Sequence, residues 1–194
     1  MNLPNKLTVF RLVTVPIFLV LLCVPLPISD MWLRIITAAV FTITSLTDML
    51  DGKIARKYNL ITDFGKFMDP LADKFMVISA MLGILVKFDY IRDVFVWAAA
   101  IVIFREFAVT SMRMVAANKA GLVIAAAWLG KVKTVTQITC ILTVLLEPVV
   151  FFWFAPFAEW HILSYVTTAA MIVMTLWSGI DYLKQYWPYI GATK

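Results

Sequence analysis

Four aspartates form two closely spaced pairs within an apolar chain. Asp48 and Asp51 are three residues apart, and Asp69 and Asp73 are four apart, so in helices each pair would share one face. Carboxylates that converge in a partly dry pocket repel one another, so they would take up protons or gather cations. Mg²⁺ and Mn²⁺ favour carboxylate oxygens, and two such ions can bind a diphosphate and stabilise its leaving oxygen. Helix capping and solvated loop charge are the alternatives, and Asp69 before Pro70 suits a cap.

The chain that must position these acids has the composition of a polytopic membrane protein. Of its 194 residues, 62% are hydrophobic and 15% are charged, and the mean hydropathy is +0.90. These values exclude an ordinary water-soluble domain. Residues 12–29 and 162–180 carry no charge, and each is long enough to cross a bilayer as a helix. The apolar run after Arg11 is too long for the core of a signal peptide, so we expect the N-terminal segment to be retained.

Shorter uncharged runs predict further helices that carry charges at their ends or inside the membrane. Lipid excludes irregular chain with unsatisfied backbone groups, so the expected fold is an all-α bundle of six transmembrane helices. No internal repeat or linker divides the chain, and a single domain over residues 1–194 is predicted. The six helices are predicted near residues 8–27, 31–56, 67–87, 93–117, 123–147 and 159–184.

The distribution of basic residues predicts the orientation. Arg34, Lys87 and Arg92 fall at one side of the predicted membrane, and the other 14 of the 17 Lys and Arg residues fall at the opposite side. The side richer in Lys and Arg should be cytoplasmic, with both termini there. The net charge of +5 therefore reports topology and attraction to anionic lipids, and it gives no support for nucleic acid as a partner.

Scarce cysteine and histidine exclude several kinds of site. Cys23 and Cys140 lie in apolar runs, and His161 is the single histidine. A Cys/His zinc site, a disulfide framework and a Ser-His-Asp triad cannot be assembled from these residues. Any metal must therefore be held by oxygen ligands.

Small residues and a cation accompany the first acidic pair. Gly52 and Ala55 follow Asp51, and a glycine inside a helix costs about 1 kcal/mol relative to alanine. Close approach of a ligand would explain the glycine, and so would tight helix packing. Arg56 offers a fork of donors suited to a phosphate, or an ordinary interfacial anchor.

Together these residues resemble the signature of the CDP-alcohol phosphotransferase family. The pattern is D-x-x-D-G-x-x-A-R, then eight residues, then G-x-x-x-D-x-x-x-D, and every position is filled. Met49 and Leu50 depart from the commonest form of the family's bacterial branch that further segments of this chain resemble, in which an aromatic residue is frequent, but they replace no ligand. The matching residues are Asp48, Asp51, Gly52, Ala55, Arg56, Gly65, Asp69 and Asp73.

The resemblance implies a membrane enzyme of six helices, usually a homodimer, that transfers a phosphatidyl or similar group from a CDP-linked donor to an alcohol and releases CMP. By position, Asp48, Asp51 and Asp69 would ligate two Mg²⁺ or Mn²⁺ ions. Asp73 would lie near a metal and act as the general base on the acceptor hydroxyl. The donor-binding residues would be Gly52, Ala55, Arg56 and Gly65.

Basic residues near the fourth and fifth helices predict a phosphorylated acceptor. Arg105 and Glu106 fall about twelve residues into the fourth helix, so they should face the bundle interior and have partners. A structural ion pair is the alternative for these two residues. Cations converging near Asp73 would bind a phosphate, although loop charge at the cytoplasmic side is an alternative. The candidate acceptor-binding residues are Arg105, Arg113, Lys131, Lys133 and Thr134.

Three segments resemble the bacterial branch that makes phosphatidylglycerophosphate. They are residues 2–11, residues 105–113, and residues 130–134 together with Gln137. The resemblance implies CDP-diacylglycerol as the donor and sn-glycerol 3-phosphate as the acceptor, in the bacterial cytoplasmic membrane with the active site facing the cytoplasm. It also places Asn5, Thr8 and Arg11 near the donor site, although a polar helix start would explain these residues equally well.

Other hypotheses remain open from the sequence. The same chemistry could serve another acceptor, either phosphatidylglycerol or an inositol phosphate. A cation transporter would also place Asp residues in the membrane, but it predicts ion flux without CDP-lipid. Ser79 and Gly83 form a small-x-x-x-small pair that could mediate dimerisation.

Overall fold

The structure is a computed structural model that describes residues 3–57, 62–120, 128–154, 157 and 159–190. Within these ranges only the backbone is described at residues 3–4, 49–57, 63, 66, 117–120 and 188–190.

The described chain is helical throughout and contains no strand, which confirms the all-α prediction. A short 3₁₀ turn, Asp89–Ile91, separates the third and fourth helices. The helices are α1 (Leu3–Cys23), α2 (Asp30–Lys57), α3 (Asp63–Lys87), α4 (Arg92–Ala120), α5 (Trp128–Val150) and α6 (Ile162–Ile190).

Four of these helices, α1, α4, α5 and α6, are long and apolar enough to cross a bilayer. The helices α2 and α3 are also long, with 28 and 25 residues, but their uncharged runs cover only residues 35–47 and 75–86. An uncharged run of that length spans less than the roughly 30 Å of a bilayer's hydrocarbon core. The structure therefore supports a membrane protein with four candidate spans among the described residues.

Two sets of helices build the bundle. The first helix packs against α2 and α3, and α6 packs against α4 and α5. Contacts of α5 with α2, and of α3 with α4, join the two sets. The interior is filled by apolar side chains such as Phe41, Met81, Phe95, Ile141 and Met171.

Two threonine hydroxyls inside the bundle bond to carbonyl oxygens of their own helix. Thr37 donates to the carbonyl oxygen of Leu33 at 2.7 Å, and Thr44 donates to that of Val40 at 2.7 Å. These bonds let polar side chains occupy an apolar interior, because a buried hydroxyl without a partner is costly.

The third helix begins earlier than the sequence predicts. Thr62 caps it, because the Thr62 hydroxyl accepts a hydrogen bond from the Gly65 backbone nitrogen at 3.1 Å. Helix α3 therefore begins four residues before its predicted start near residue 67, much as α1 begins five residues before its predicted start near residue 8, and Pro70 lies inside α3. Asp69 therefore lies within α3, and Thr62, not Asp69, caps this helix.

A buried glutamate organises the end of the bundle farthest from Asp48. Glu147 of α5 is almost fully buried and accepts hydrogen bonds from the backbone nitrogens of Leu163 and Ser164 at 2.7 and 2.8 Å. It also accepts a bond from the Ser164 hydroxyl at 2.5 Å. Its negative charge thus satisfies the otherwise open donors at the start of α6.

The small-residue pair on α3 packs within the chain. Gly83 is buried, and a Cβ added there would lie 2.6 Å from Cδ2 of Leu22 on α1. Ser79 is also buried. The prediction that this pair mediates dimerisation is therefore wrong, because both residues are buried within the chain.

Candidate functional site

One face of α1 brings the two acidic helices together. The Arg11 guanidinium is fully buried, and its Nη1 lies 2.7 Å from Oδ1 of Asp48 on α2. One turn earlier, the Thr8 hydroxyl donates to Oδ1 of Asp69 on α3 at 2.5 Å. Since Thr8 and Arg11 are three residues apart, they share a helix face, and α1 therefore holds one carboxylate from each predicted pair.

A second contact fixes the start of α3 against α1. The Thr62 hydroxyl donates to Oδ1 of Asn5 at 2.8 Å while it caps α3. Gly65 lies in this contact, and a Cβ there would be 3.4 Å from Asn5 Oδ1 and 3.5 Å from Asp69 Oδ2. The three N-terminal residues of the predicted site, Asn5, Thr8 and Arg11, thus all lie against the acidic helices.

Asp73 lies one turn beyond Asp69 and faces a narrow polar cavity. Asp48, Lys133, Arg11 and Glu106 are all near enough to act electrostatically on its carboxylate. Six polar side chains line the cavity together with two apolar ones: Asp73, Lys74, Glu106, Lys133, Thr134 and Gln137, with Val77 and Ile78.

Two of these lining residues differ in whether their nitrogen atoms have a hydrogen-bond partner among the described residues. The Lys74 ammonium donates to the Thr110 hydroxyl at 2.6 Å. The Gln137 amide nitrogen is buried and has no hydrogen-bond partner among the described residues. An unsatisfied buried donor is costly, so the cavity offers this amide to a polar ligand or water.

Glu106 is shared by the buried Lys133 and the mostly buried Arg105. Its Oε1 accepts a hydrogen bond from Nη1 of Arg105 at 3.0 Å and another from the Lys133 ammonium. The side chains of Arg105, Glu106 and Lys133 are 11%, 14% and 7% exposed. The expectation that Arg105 and Glu106 face the interior with partners is confirmed, and these groups also form the structural ion pair considered as the alternative.

The sixth helix supplies further partners to the arginines of α4. Nη2 of Arg105 donates to the Ser178 hydroxyl at 2.6 Å, and Nη2 of Arg113 donates to the Tyr182 hydroxyl at 2.6 Å. The Tyr182 ring also lies 5.2 Å from the Arg105 guanidinium carbon and 4.9 Å from that of Arg113. Both guanidinium groups are therefore within cation–π distance of one ring.

The remaining predicted acceptor-binding residues lie at the start of α5. Lys131 is exposed, and the Thr134 hydroxyl donates to the Gly130 carbonyl oxygen of its own helix at 3.1 Å. Thr134 also lines the cavity that contains Asp73. The structure thus brings Lys133 and Thr134 to Asp73 and leaves Lys131 directed outward.

Several predicted site residues lie outside the described side chains. They are Asp51, Gly52, Ala55 and Arg56, for which the structure gives only a helical backbone. Among the side chains that are described, no three His, Cys, Asp or Glu form a group that could hold a metal ion. Asp48, Asp69 and Asp73 nevertheless supply the carboxylate oxygens that Mg²⁺ and Mn²⁺ prefer, so the donor chemistry of this part of the site suits such ions.

Sequence reasoning missed the contributions of α6. Ser178 and Tyr182 are four residues apart and nearly fully buried, but they sit in a helix whose composition resembles any apolar span. The available signal was the recurrence of polar side chains at Thr175, Ser178 and Tyr182, which share one helix face.

Comparison with known proteins confirms the resemblance. The family model described as CDP-alcohol phosphatidyltransferase matches residues 1–177. A protein of Bacillus subtilis (strain 168), named CDP-diacylglycerol–glycerol-3-phosphate 3-phosphatidyltransferase, is 41% identical over 96% of this chain and 95% of its own length. The Escherichia coli (strain K12) protein with the same name is 34% identical over 94% of this chain and 93% of its own length. A Mycobacterium tuberculosis (strain H37Rv) protein, named probable phosphatidylglycerophosphate synthase, is 34% identical over all of this chain and 85% of its own length.

Proposed function

The chain belongs to the CDP-alcohol phosphatidyltransferase family, and we propose that it transfers the phosphatidyl group of CDP-diacylglycerol to sn-glycerol 3-phosphate. The products are phosphatidylglycerophosphate and CMP. The names of its relatives support this reaction. The observation that carries the proposal is that α1 holds Asp48 through Arg11 and Asp69 through Thr8, while Asp73, one turn beyond Asp69, lines a cavity with the cation Lys133.

The acidic residues would hold two divalent ions, Mg²⁺ or Mn²⁺. Asp48, Asp51, Asp69 and Asp73 are the proposed ligands, since their oxygens match the preference of hard cations. When bound, such ions supply positive charge that offsets the negative charge of the donor's diphosphate and of the departing CMP. The Thr8 hydroxyl orients the Asp69 carboxylate, and Arg11 balances the charge of Asp48.

The donor would lie along the first two helices and the start of the third. Small residues there leave room for the cytidine and diphosphate, and the arginines offer hydrogen-bond donors to phosphate oxygens. The residues proposed to bind the donor are Asn5, Thr8, Arg11, Gly52, Ala55, Arg56 and Gly65.

Asp73 would act as the general base. The primary hydroxyl of the acceptor attacks the phosphorus that bears the lipid, its proton passes to the Asp73 carboxylate, and the bond from that phosphorus to the CMP oxygen breaks. Lys133 lines the same cavity as Asp73, so an acceptor bound near this lysine would have its hydroxyl close to the base. Productive attack requires such positioning of the reacting groups.

The acceptor's phosphate would bind the cations of α4 and α5. Arg105 and Lys133 share a single carboxylate, that of Glu106, so the three groups together keep one positive charge. Arg113, Lys131 and the Thr134 hydroxyl complete the proposed set. Arginine in particular binds phosphate through paired N–H donors.

Charged groups at the two ends of the bundle support an orientation. Asp30 pairs with Arg34 at 2.6 Å and approaches Lys87 at 3.8 Å, so these groups cluster at the end opposite Asp48. The greater number of basic residues lies toward the other end, and we propose that this end faces the cytoplasm, in the bacterial cytoplasmic membrane. All six helices would then span the membrane, α2 and α3 with their charged ends in the site, as a single domain over residues 1–194. The homodimer implied by the family stays a prediction.

The test of the proposed function is CMP release by the purified protein. With CDP-diacylglycerol, glycerol 3-phosphate and Mg²⁺, we expect CMP and phosphatidylglycerophosphate in equal amounts. Asp73→Asn should lower kcat by at least about a thousandfold, because it removes the proton acceptor. Asp93→Asn changes an exposed aspartate of α4 and serves as the matched control. No CMP release with any alcohol acceptor would contradict the proposal.

The acceptor is tested separately from the reaction class. Phosphatidylglycerol and an inositol phosphate replace glycerol 3-phosphate in the same assay, and faster turnover with either one would assign a different acceptor. Lys133→Ala should raise KM for glycerol 3-phosphate by roughly tenfold or more, because it removes a charge-assisted contact. Membership of a transferase family argues against the cation-transporter alternative.

A further inference from the structure

We propose that Tyr182 is a positioning residue that holds Arg113 in place for the acceptor's phosphate while leaving the arginine's positive charge uncompensated. This inference rests on the proposed function, since it assigns a role within the acceptor site. Tyr182 lies on α6, which carries none of the acceptor-binding residues predicted from the sequence.

The cations of the proposed acceptor site are held in two different ways. Lys133 and Arg105 both bond to the Glu106 carboxylate, which cancels one of their two charges. Arg113 instead donates to the neutral hydroxyl of Tyr182, and no carboxylate pairs with it among the described residues. A cation fixed by a neutral partner keeps its full attraction for an anion, whereas a cation paired with an acid has part of that attraction already satisfied.

The position of Tyr182 is itself well fixed. Its side chain is 1% exposed and stacks on Tyr186, with ring centroids 6.1 Å apart. Val109 and Ala116 of α4 belong to the same buried cluster. A rigid, buried ring of this kind can restrict the many rotamers of an arginine that is otherwise exposed.

The same ring connects three helices at the acceptor site. Its distances to the guanidinium carbons of Arg105 and Arg113 mean that these two carbons are no more than about 10 Å apart. A Cβ added to Gly130 of α5 would lie 3.2 Å from the Tyr182 hydroxyl oxygen. Lys131 follows Gly130 directly, so Tyr182 sets the spacing between the cations of α4 and the start of α5.

The first test is Tyr182→Phe, which keeps the ring and removes only the hydroxyl. We expect KM for glycerol 3-phosphate to rise roughly tenfold, because the lost bond is to a charged donor. The value of kcat and KM for CDP-diacylglycerol should stay within about twofold, since neither depends directly on Arg113 in this proposal. Tyr186→Phe removes a hydroxyl from an equally buried tyrosine one turn away and should leave all three constants unchanged.

A double-mutant cycle separates positioning from general structural damage. If Tyr182 acts through Arg113, then Tyr182→Phe should raise KM for the acceptor no further in a protein that already carries Arg113→Ala. An additive effect, or an unchanged KM in the single variant Tyr182→Phe, would overturn the proposal. An equal fall in kcat for both tyrosine variants would also overturn it, because that result indicates structural damage alone.

Gly130→Ala perturbs the hydroxyl from the other side. The added methyl group would displace the Tyr182 hydroxyl, while alanine favours the helix by about 1 kcal/mol relative to glycine. KM for the acceptor should rise in the presence of the hydroxyl and stay unchanged in the Tyr182→Phe background. A rise of the same size in both backgrounds would contradict the role of the hydroxyl.

Inorganic phosphate gives a readout that does not need catalysis. Phosphate should raise the melting temperature of the detergent-solubilised wild-type protein, with a smaller rise in Tyr182→Phe and the smallest rise in Arg113→Ala. Equal protection in the wild-type protein and both variants would overturn the role of Tyr182. If protection follows the expected order but no CMP is released, the proposed function fails while the positioning of Arg113 by Tyr182 stands.

Discussion

Replacing Glu147 by glutamine should destabilise the protein without affecting its chemistry. The carboxylate receives three hydrogen bonds at the start of α6, on Oε1 from Leu163 and on Oε2 from the backbone and hydroxyl of Ser164. A glutamine has one accepting oxygen, and its NH₂ group would face a backbone N–H that it cannot satisfy. One orphaned buried donor costs about 1–3 kcal/mol, and loss of the charge at a helix N-terminus costs about 0.3–2 kcal/mol.

We therefore expect the free energy of unfolding to fall by about 1–5 kcal/mol. For a chain of this length that change corresponds to a fall in melting temperature on the order of 2–20 °C, measured by tryptophan fluorescence in detergent. Glu159→Gln makes the same chemical change at an exposed position and should leave the melting temperature unchanged. KM for both substrates should also be unchanged below the transition, because Glu147 lies at the end of the bundle farthest from Asp73. A Glu147→Gln protein as stable as the wild type would refute the capping role of this buried charge.

Two further substitutions test the packing and the acidic site. Gly83→Ala should lower the free energy of unfolding, because its Cβ would meet Leu22 Cδ2 at 2.6 Å. The cost of this overpacking is about 1–3 kcal/mol, and it is offset by the preference of a helix for alanine over glycine, which is about 1 kcal/mol. An unchanged or raised melting temperature would contradict tight packing of α1 against α3 at this position. Thr8→Val should raise the Mg²⁺ concentration for half-maximal activity roughly tenfold or more, because it removes the hydroxyl that orients Asp69. Thr42→Val is the control, because among the described residues the Thr42 hydroxyl bonds only to the Ala38 carbonyl oxygen of its own helix. Equal Mg²⁺ dependence in the two variants would contradict the orienting role of Thr8.

The parts of the fold that the sequence predicted are those governed by hydropathy. Long uncharged runs determine where α1 and α6 lie, because lipid tolerates only helices with satisfied backbones. The start of α3 was missed because Pro70 after Asp69 is a strong local signal for a helix start. The contact from Thr62 to Asn5 joins residues 57 positions apart, and tertiary contacts of that kind are not visible in local patterns.

In the candidate site, too, some features could be predicted from the sequence and others could not. The acidic residues could be predicted because their spacing on two helices is itself the signal, and the buried partners of Arg105 could be predicted from its depth in α4. The identity of the partners could not, because Glu106 bonds Lys133 across 27 positions and Tyr182 meets Arg113 across 69. A tyrosine in an apolar helix is common in membrane proteins, so only the packing of α6 against α4 distinguishes Tyr182 from Tyr165 or Tyr186.

The hydrogen-bond partners of Lys133, Arg105 and Arg113 affect which acceptor the site selects. The buried Lys133 and the mostly buried Arg105 share Glu106, so the three groups together present one positive charge. Lys133 and Glu106 lie close to Asp73, whose own carboxylate opposes that charge. Such a near-neutral group can orient a hydroxyl-bearing acceptor but attracts a dianionic phosphate weakly. The exposed Arg113, held by Tyr182, adds a charge that no described acid offsets. Discrimination between phosphorylated and unphosphorylated acceptors should therefore depend more on Arg113 than on Arg105, although both contact the same ring.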